Sequence, residues 1–66
     1  MKVKEIIRQI DDPKIHIEII EKGSGASFGI YTKKEIFFND NLTRKTIDNI
    51  NIQYINNKRI LILKVK

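Results

Sequence analysis

Few residues in this 66-residue chain are of types that do chemistry, and their spacing decides how each is read. His16 is the one imidazole, set between Lys14 and Glu18 on the polar side of an alternating run. An imidazole titrating near neutrality serves as a general base or pH sensor. Nucleophilic catalysis also needs a Ser, Cys or second base within reach, and none is placed to meet it, so a solvent-facing histidine is the simpler reading. Among the carboxylates, Glu18 and Glu21 fall on opposite strand faces by parity, and Asp11-Asp12 sit in a turn. A hydrolytic pair must converge across a cleft, and so short a chain has little cleft to offer. Gly23-Ser24-Gly25-Ala26-Ser27 could present backbone N–H groups to a phosphate, but it lacks the Gly-Lys-Ser/Thr ending of a P-loop. A plain hairpin connection serves as well. With no cysteine and one histidine, no zinc ligand set exists. No cofactor is expected, and the chain reads as a binder rather than an enzyme.

The basic residues Lys33, Lys34, Arg44, Lys45, Lys58 and Arg59 are the strongest candidate site. They come as pairs at the ends of successive elements, where loops can gather on one edge. Residues 1–32 carry five basic and five acidic side chains, whereas residues 33–66 carry eight and three, so the whole formal +5 lies in the second half. Such asymmetry favours an anionic partner or a polarised surface, and phosphate contacts from these residues would bind nucleic acid or a nucleotide-like ligand. Tyr31, Phe37, Phe38 and Tyr54 would stack on bases if exposed. No RNP-like, zinc-knuckle or helix-turn-helix pattern accompanies them. Ordinary solubilising charge over core aromatics is the competing reading.

The elements that must position these groups follow from hydrophobic spacing. Val3, Ile6, Ile7 and Ile10 recur at i, i+3, i+4 and i+7, which predicts a nine-residue amphipathic helix ended by Asp12-Pro13. Lys14-Ile15-His16-Ile17-Glu18-Ile19 alternates strictly and predicts a strand with Ile15, Ile17 and Ile19 inward. Ile20 breaks the alternation, as a bulge or an apolar spot on the outer face. Phe28-Gly29-Ile30-Tyr31 reads as a second strand. Thr32 with Glu35 three residues on resembles a capping box that opens a helical turn, although Ile36-Phe37-Phe38 could equally extend the strand. Asn39-Asp40-Asn41 reads as a turn.

In the last twenty residues, Ile50-Asn51-Ile52-Gln53-Tyr54 alternates and Asn56-Asn57 suits a two-residue turn. Ile60-Leu61-Ile62-Leu63-Lys64-Val65 returns. That turn sets Ile52 opposite Leu61, Ile50 opposite Leu63 and Tyr54 opposite Arg59, with Ile50, Ile52, Leu61, Leu63 and Val65 on the core face. Ile60 and Ile62 then point the other way. A strand apolar on both faces is normally covered on both, so residues 33–38 or another subunit must pack there. Ile55, Ile60 and Ile62 are therefore the expected self-association or partner face.

Length and composition bound the class. A chain this short is one domain near the lower limit for an independent core, and without disulfides or a metal a homo-oligomer is the remaining reinforcement. No stretch approaches a membrane span, and the charged opening Met1-Lys2-Val3-Lys4-Glu5 is no signal peptide. The lack of cysteine suits a reducing bacterial cytoplasm. Thirty-one of the 66 residues are Ile, Lys or Asn, whose A/T-rich codons suggest a low-GC bacterium or its phage.

The Met-Lys-Val-Lys-Glu-Ile-Ile opening, an alternating strand and a closing Ile-Leu-Ile-Leu strand make the chain similar to small uncharacterised phage and prophage proteins of low-GC Gram-positive bacteria. That resemblance implies an accessory protein that inhibits a host or defence protein or sequesters a nucleotide, and it carries over no site residues. The expected fold is α+β: a short N-terminal helix on a twisted, mainly antiparallel sheet of about four strands.

Overall fold

The computed structural model describes all 66 residues. Its elements run α1 (Val3–Gln9), β1 (His16–Glu21), β2 (Ser27–Thr32), α2 (Lys33–Phe37), α3 (Asp40–Thr43), β3 (Ile47–Ile55) and β4 (Lys58–Val65). The four strands form one sheet in the order β2-β1-β4-β3. Two antiparallel hairpins, β1–β2 and β3–β4, meet through a parallel β1–β4 pair. This is the expected α+β arrangement.

Local chemistry explains most of the boundaries. The Val3/Ile6/Ile7/Ile10 stripe forms a helix of seven residues rather than nine, since Ile10 is already extended and the chain then enters Asp11-Asp12-Pro13. Glu5 Oε1 accepts the Lys2 backbone N–H at 3.0 Å, which satisfies an otherwise free donor at the helix start. Ile20 marks both things expected of it: pairing with β2 slips between Ile19 and Ile20, while Ile20 stays in register with Lys64 of β4. The Thr32/Glu35 capping box forms, so residues 33–37 are helix α2 and not an extension of β2. Asn39, expected in a plain turn, instead caps a further helix: its Oδ1 accepts the Leu42 N–H at 3.2 Å and starts α3. The β3–β4 turn is Asn56-Asn57 at φ 53° and 65°, the double positive φ of a type I′ turn. It produces the expected register, Tyr54–Arg59, Ile52–Leu61 and Ile50–Leu63.

All three helices lie on one face of the sheet. Val3 and Ile7 of α1, Ile36 of α2 and Leu42 of α3 form a single buried cluster with Ile15, Ile17, Ile19, Leu61, Leu63 and Val65. Two expectations are corrected by this layering. The segment 33–38 packs on the core face, with Ile36 fully buried, and so does not cover Ile60 and Ile62. Ile50 and Ile52 are on the core side by register but 44% and 52% exposed. The short helices reach across β1 and β4 and stop before the edge strand β3. No helix is long and apolar enough to cross a membrane.

Leu63 is fully buried beside the parallel junction. Leu63→Ala is expected to remove about 2–5 kcal/mol, most of the ~3–10 kcal/mol available to a domain of this length. Its denaturant midpoint should collapse, and an unchanged midpoint would contradict the assigned core. Glu35, although exposed, has its carboxyl held below the usual carboxylate range. The Thr32 backbone N–H is the main cause, followed by the Thr32 side chain and a smaller contribution from His16. A depressed carboxyl stabilises the fold above its unfolded pKa, and that contribution fades as pH falls through the folded value. Thr32→Val keeps the backbone donor but loses the hydroxyl. The Glu35 midpoint followed by NMR should therefore rise part of the way to that of an ordinary glutamate. A midpoint that does not move would contradict this cause.

Candidate partner face and cationic end

Because β1 and β4 run parallel and β2 and β3 oppose them, one end of the sheet collects His16, Thr32, Ile55 and Lys58. Lys33 and Lys34 follow Thr32, and Arg59 follows Lys58, so four of the six basic candidates share this end with Lys14 and His16. Arg44 and Lys45 do not join them. They lie between α3 and β3 at the opposite end, where the Lys45 carbonyl accepts the Val3 N–H at 2.9 Å. The Lys45 ammonium sits 4.8 Å from the centre of the Phe28 ring, a cation–π contact that ties it to the fold. The Arg44 carbonyl accepts Lys2 Nζ at 3.2 Å.

The opposite end is stitched closed. Ile47 N–H donates to Met1 O at 2.7 Å, Lys22 N–H to Val65 O at 2.8 Å and Lys66 N–H to Thr46 O at 3.0 Å. Lys22 pairs with Asp48 at 3.1 Å. The one other ion pair is Arg59–Asp12 at 3.2 Å, at the cationic end. There Lys33 Nζ donates to the Ile10 carbonyl, while Lys14, Lys34 and Lys58 have no ion-pair partner. A groove of about 410 Å³ opens among Asp12, Lys14, Ile15, His16, Asn57, Lys58 and Arg59. Three of its seven lining residues, Lys14, Lys58 and Arg59, are cationic, against one carboxylate.

The helix-free face adjoins this groove. By register it carries His16, Glu18 and Ile20 of β1, Ile30 and Thr32 of β2, Asn51, Gln53 and Ile55 of β3, and Ile60, Ile62 and Lys64 of β4. Ile55, Ile60 and Ile62 therefore share one face of the sheet, but they are unequally exposed. Ile62, at the middle of the sheet, is only 7% exposed although no helix covers it, because its cross-strand neighbours close round it. Ile60 is half-buried. Ile55 is 48% and Ile30 53% exposed. A second hollow of about 250 Å³ lies among His16, Ile30, Ile55, Asn56, Lys58 and Ile60. His16 and Lys58 line both hollows, so the apolar face runs directly into the cationic end.

Several site residues lay outside the sequence expectation. Ile30 joins the apolar face because it pairs with Glu18, which parity along Gly29-Ile30-Tyr31 would show only once the hairpin register is known. Lys14 joins the groove because the Asp12 carboxylate accepts its N–H at 2.9 Å and bends the chain beneath β1. The Gly23–Ser27 loop holds no anion nest. The Gly25 N–H donates to the Glu21 carbonyl at 2.8 Å and the Ala26 N–H to Ser24 Oγ at 3.2 Å, so these donors are spent inside the loop. The Glu21 and Glu18 carboxylates that accept from Ser24 and Ser27 stand where an anion would lie. Of the aromatics, Phe37, Phe38 and Tyr54 are exposed, with Phe37 and Phe38 edge to face at 5.3 Å, whereas Tyr31 packs on the core.

No protein-family model, curated protein or solved structure matches the chain.

Asp12 is the carboxylate that opposes an anion in the polar groove. Asp12→Asn keeps an acceptor for the Lys14 N–H, frees Arg59, and should change stability by no more than about 1 kcal/mol. Removing one negative charge about 6 Å from a bound anion in water is worth about 0.7 kcal/mol, a ~threefold gain. Inorganic phosphate titrated by NMR should bind the variant about threefold more tightly. Equal or weaker binding would contradict the groove as an anion site.

Proposed function

We propose that this chain is a non-enzymatic accessory protein of phage or mobile-element type that acts by stoichiometric capture of a bacterial host or defence protein. The observation that carries this reading is the continuity of the helix-free face of Ile30, Ile55 and Ile60 with the cationic end of Lys14, Lys33, Lys34, Lys58 and Arg59. Exposed aliphatic area gives affinity through burial, and an adjoining cluster of one charge sign gives orientation and speed of encounter. The partner that fits is an apolar surface flanked by carboxylates or phosphates. A phosphate-bearing nucleotide seated in the polar groove is the small-ligand form of the same recognition. The cysteine-free composition supports a reducing cytoplasm as the place of action.

Nucleic acid is the second reading, favoured by one observation. Exposed Phe37 lines a shallow hollow with Lys33 and Lys34, and exposed Tyr54 stands opposite Arg59. Aromatic faces beside cations are the components of single-strand binding.

Pull-down from bacterial lysate followed by titration at rising salt separates the two. A captured protein should bind roughly several-fold to several-hundredfold more weakly on reversing Lys33, Lys34, Lys58 and Arg59 to Glu, since each rim charge is worth about 0.2–1 kcal/mol. It should also weaken with Ile30→Lys. Capture indifferent to both changes would contradict the proposal. Binding of generic single strands with a log–log salt slope near about −3, as four phosphate contacts give, would select the second reading.

A further inference from the structure

We infer that the free edge of β3 is a self-pairing surface, through which a second copy of this chain joins antiparallel to build a continuous eight-stranded sheet. The two outer strands are not alike. The β2 edge is six residues long, slips register at the bulge beside Ile20 and is bent by Gly29 at φ 115°, with Tyr31 Oη 3.0 Å from where a Cβ would stand. Those features blunt an edge against pairing. β3 runs nine residues, and its only irregularity lies near its start, between Ile47 and Asn49. From Asn49 to Ile55 it holds no Lys, Arg, Pro, Asp or Glu, so the usual guards of an edge strand are missing.

Hydrogen-bond parity fixes which groups are free. In a two-residue hairpin the residues flanking the turn form a hydrogen-bonded pair, and such pairs then alternate along the ladder. Ile55, Gln53 and Asn51 therefore spend their N–H and C=O groups on β4, while those of Ile50, Ile52 and Tyr54 point outward. The Ile52 N–H shows this directly: it is taken by the Asn51 side chain at 2.9 Å, one torsion away from release.

One register satisfies both strands. With the two-fold axis at Ile52, Ile52 faces the partner's Ile52 and Ile50 faces the partner's Tyr54, with about six backbone hydrogen bonds. Asn51 faces the partner's Gln53, amide to amide. No charge opposes a charge, and each copy keeps its positive end away from the seam. Ile50, Ile52 and Tyr54 lie on the helix side of the sheet but beyond the reach of the helices, 44%, 52% and 73% exposed, and become one apolar strip shared by two copies. The side chains that should be core by pattern and are exposed in the single chain are the ones this pairing covers.

The test is sedimentation equilibrium from micromolar to millimolar concentration. The unmodified chain is expected to be a dimer at the upper end, with slowed amide exchange at Ile50, Ile52 and Tyr54. Ile52→Lys puts two like charges face to face and should abolish the dimer. Ile52→Pro removes only an outward N–H and should do the same with the fold kept, as judged by circular dichroism. Ile30→Lys, on the other face, should leave the dimer intact. The chain has no cysteine, so Ile52→Cys should cross-link copies on oxidation, while Ile50→Cys, roughly 14 Å from its own mate in this register, should not. A chain that stays monomeric throughout, including one whose edge is filled instead by a foreign extended peptide, would overturn the inference. So would a dimer that survives Ile52→Lys or is broken by Ile30→Lys.

Discussion

The parallel seating of β4 against β1 is the constraint from which the rest of the architecture follows. His16 to Glu21 match Ile60 to Val65 one for one, although some forty residues separate them in the chain. Each hairpin alone is a two-stranded unit with little stability in water. Joined, they place Ile17, Ile19, Leu61 and Leu63 side by side, and the stripes of α1, α2 and α3 have one surface to cover. Because parallel strands need a long crossover, the intervening segment carries two short helices over the sheet, and it carries them over one face only.

One-sided layering sets the character of the surface. The helices finish the core over β1 and β4 and leave the opposite face and most of β3 to solvent. Polarity along the strands then divides the ends. At one, the first and last residues of the chain are hydrogen-bonded into the sheet; at the other, lysines and an arginine flank the strand termini with one ion pair, Arg59–Asp12, among them. The apolar face and the unsatisfied cations meet at His16 and Lys58. A chain of 66 residues that left so much aliphatic surface bare without use would be sacrificing stability it can hardly spare.

Much of this was legible in the residues, for identifiable reasons. Strict alternation over Lys14–Ile19 marks β1 because a period of two cannot serve a helix, and the register of β3 on β4 follows from Asn56-Asn57 alone, since only a two-residue turn with positive φ twists correctly. The capping chemistry of Thr32 and Glu35 is local and legible, whereas Asn39-Asp40-Asn41 reads as turn because the side-chain bond of Asn39 to Leu42 looks the same in a turn and a cap. The exposure of Ile50 and Ile52 is not legible in the sequence, because alternation reveals which face a residue occupies and not how far the covering helices extend. In sequence the basic pairs look like one group, but strand direction, invisible before the parallel pairing is known, sends Arg44 and Lys45 to the far end.

The two faces of this sheet make opposite demands on the same kind of residue, and thermal unfolding of one pair of variants measures that asymmetry directly. Ile19 lies under the helices and Ile30 on the bare side, two strands that touch. Ile30→Lys should melt within about 0.5 kcal/mol of the unmodified chain, as an exposed substitution does, while Ile19→Lys, which buries an unpaired ammonium, should not fold. A folded Ile19→Lys protein, or an Ile30→Lys protein that is lost with it, would contradict the one-sided core.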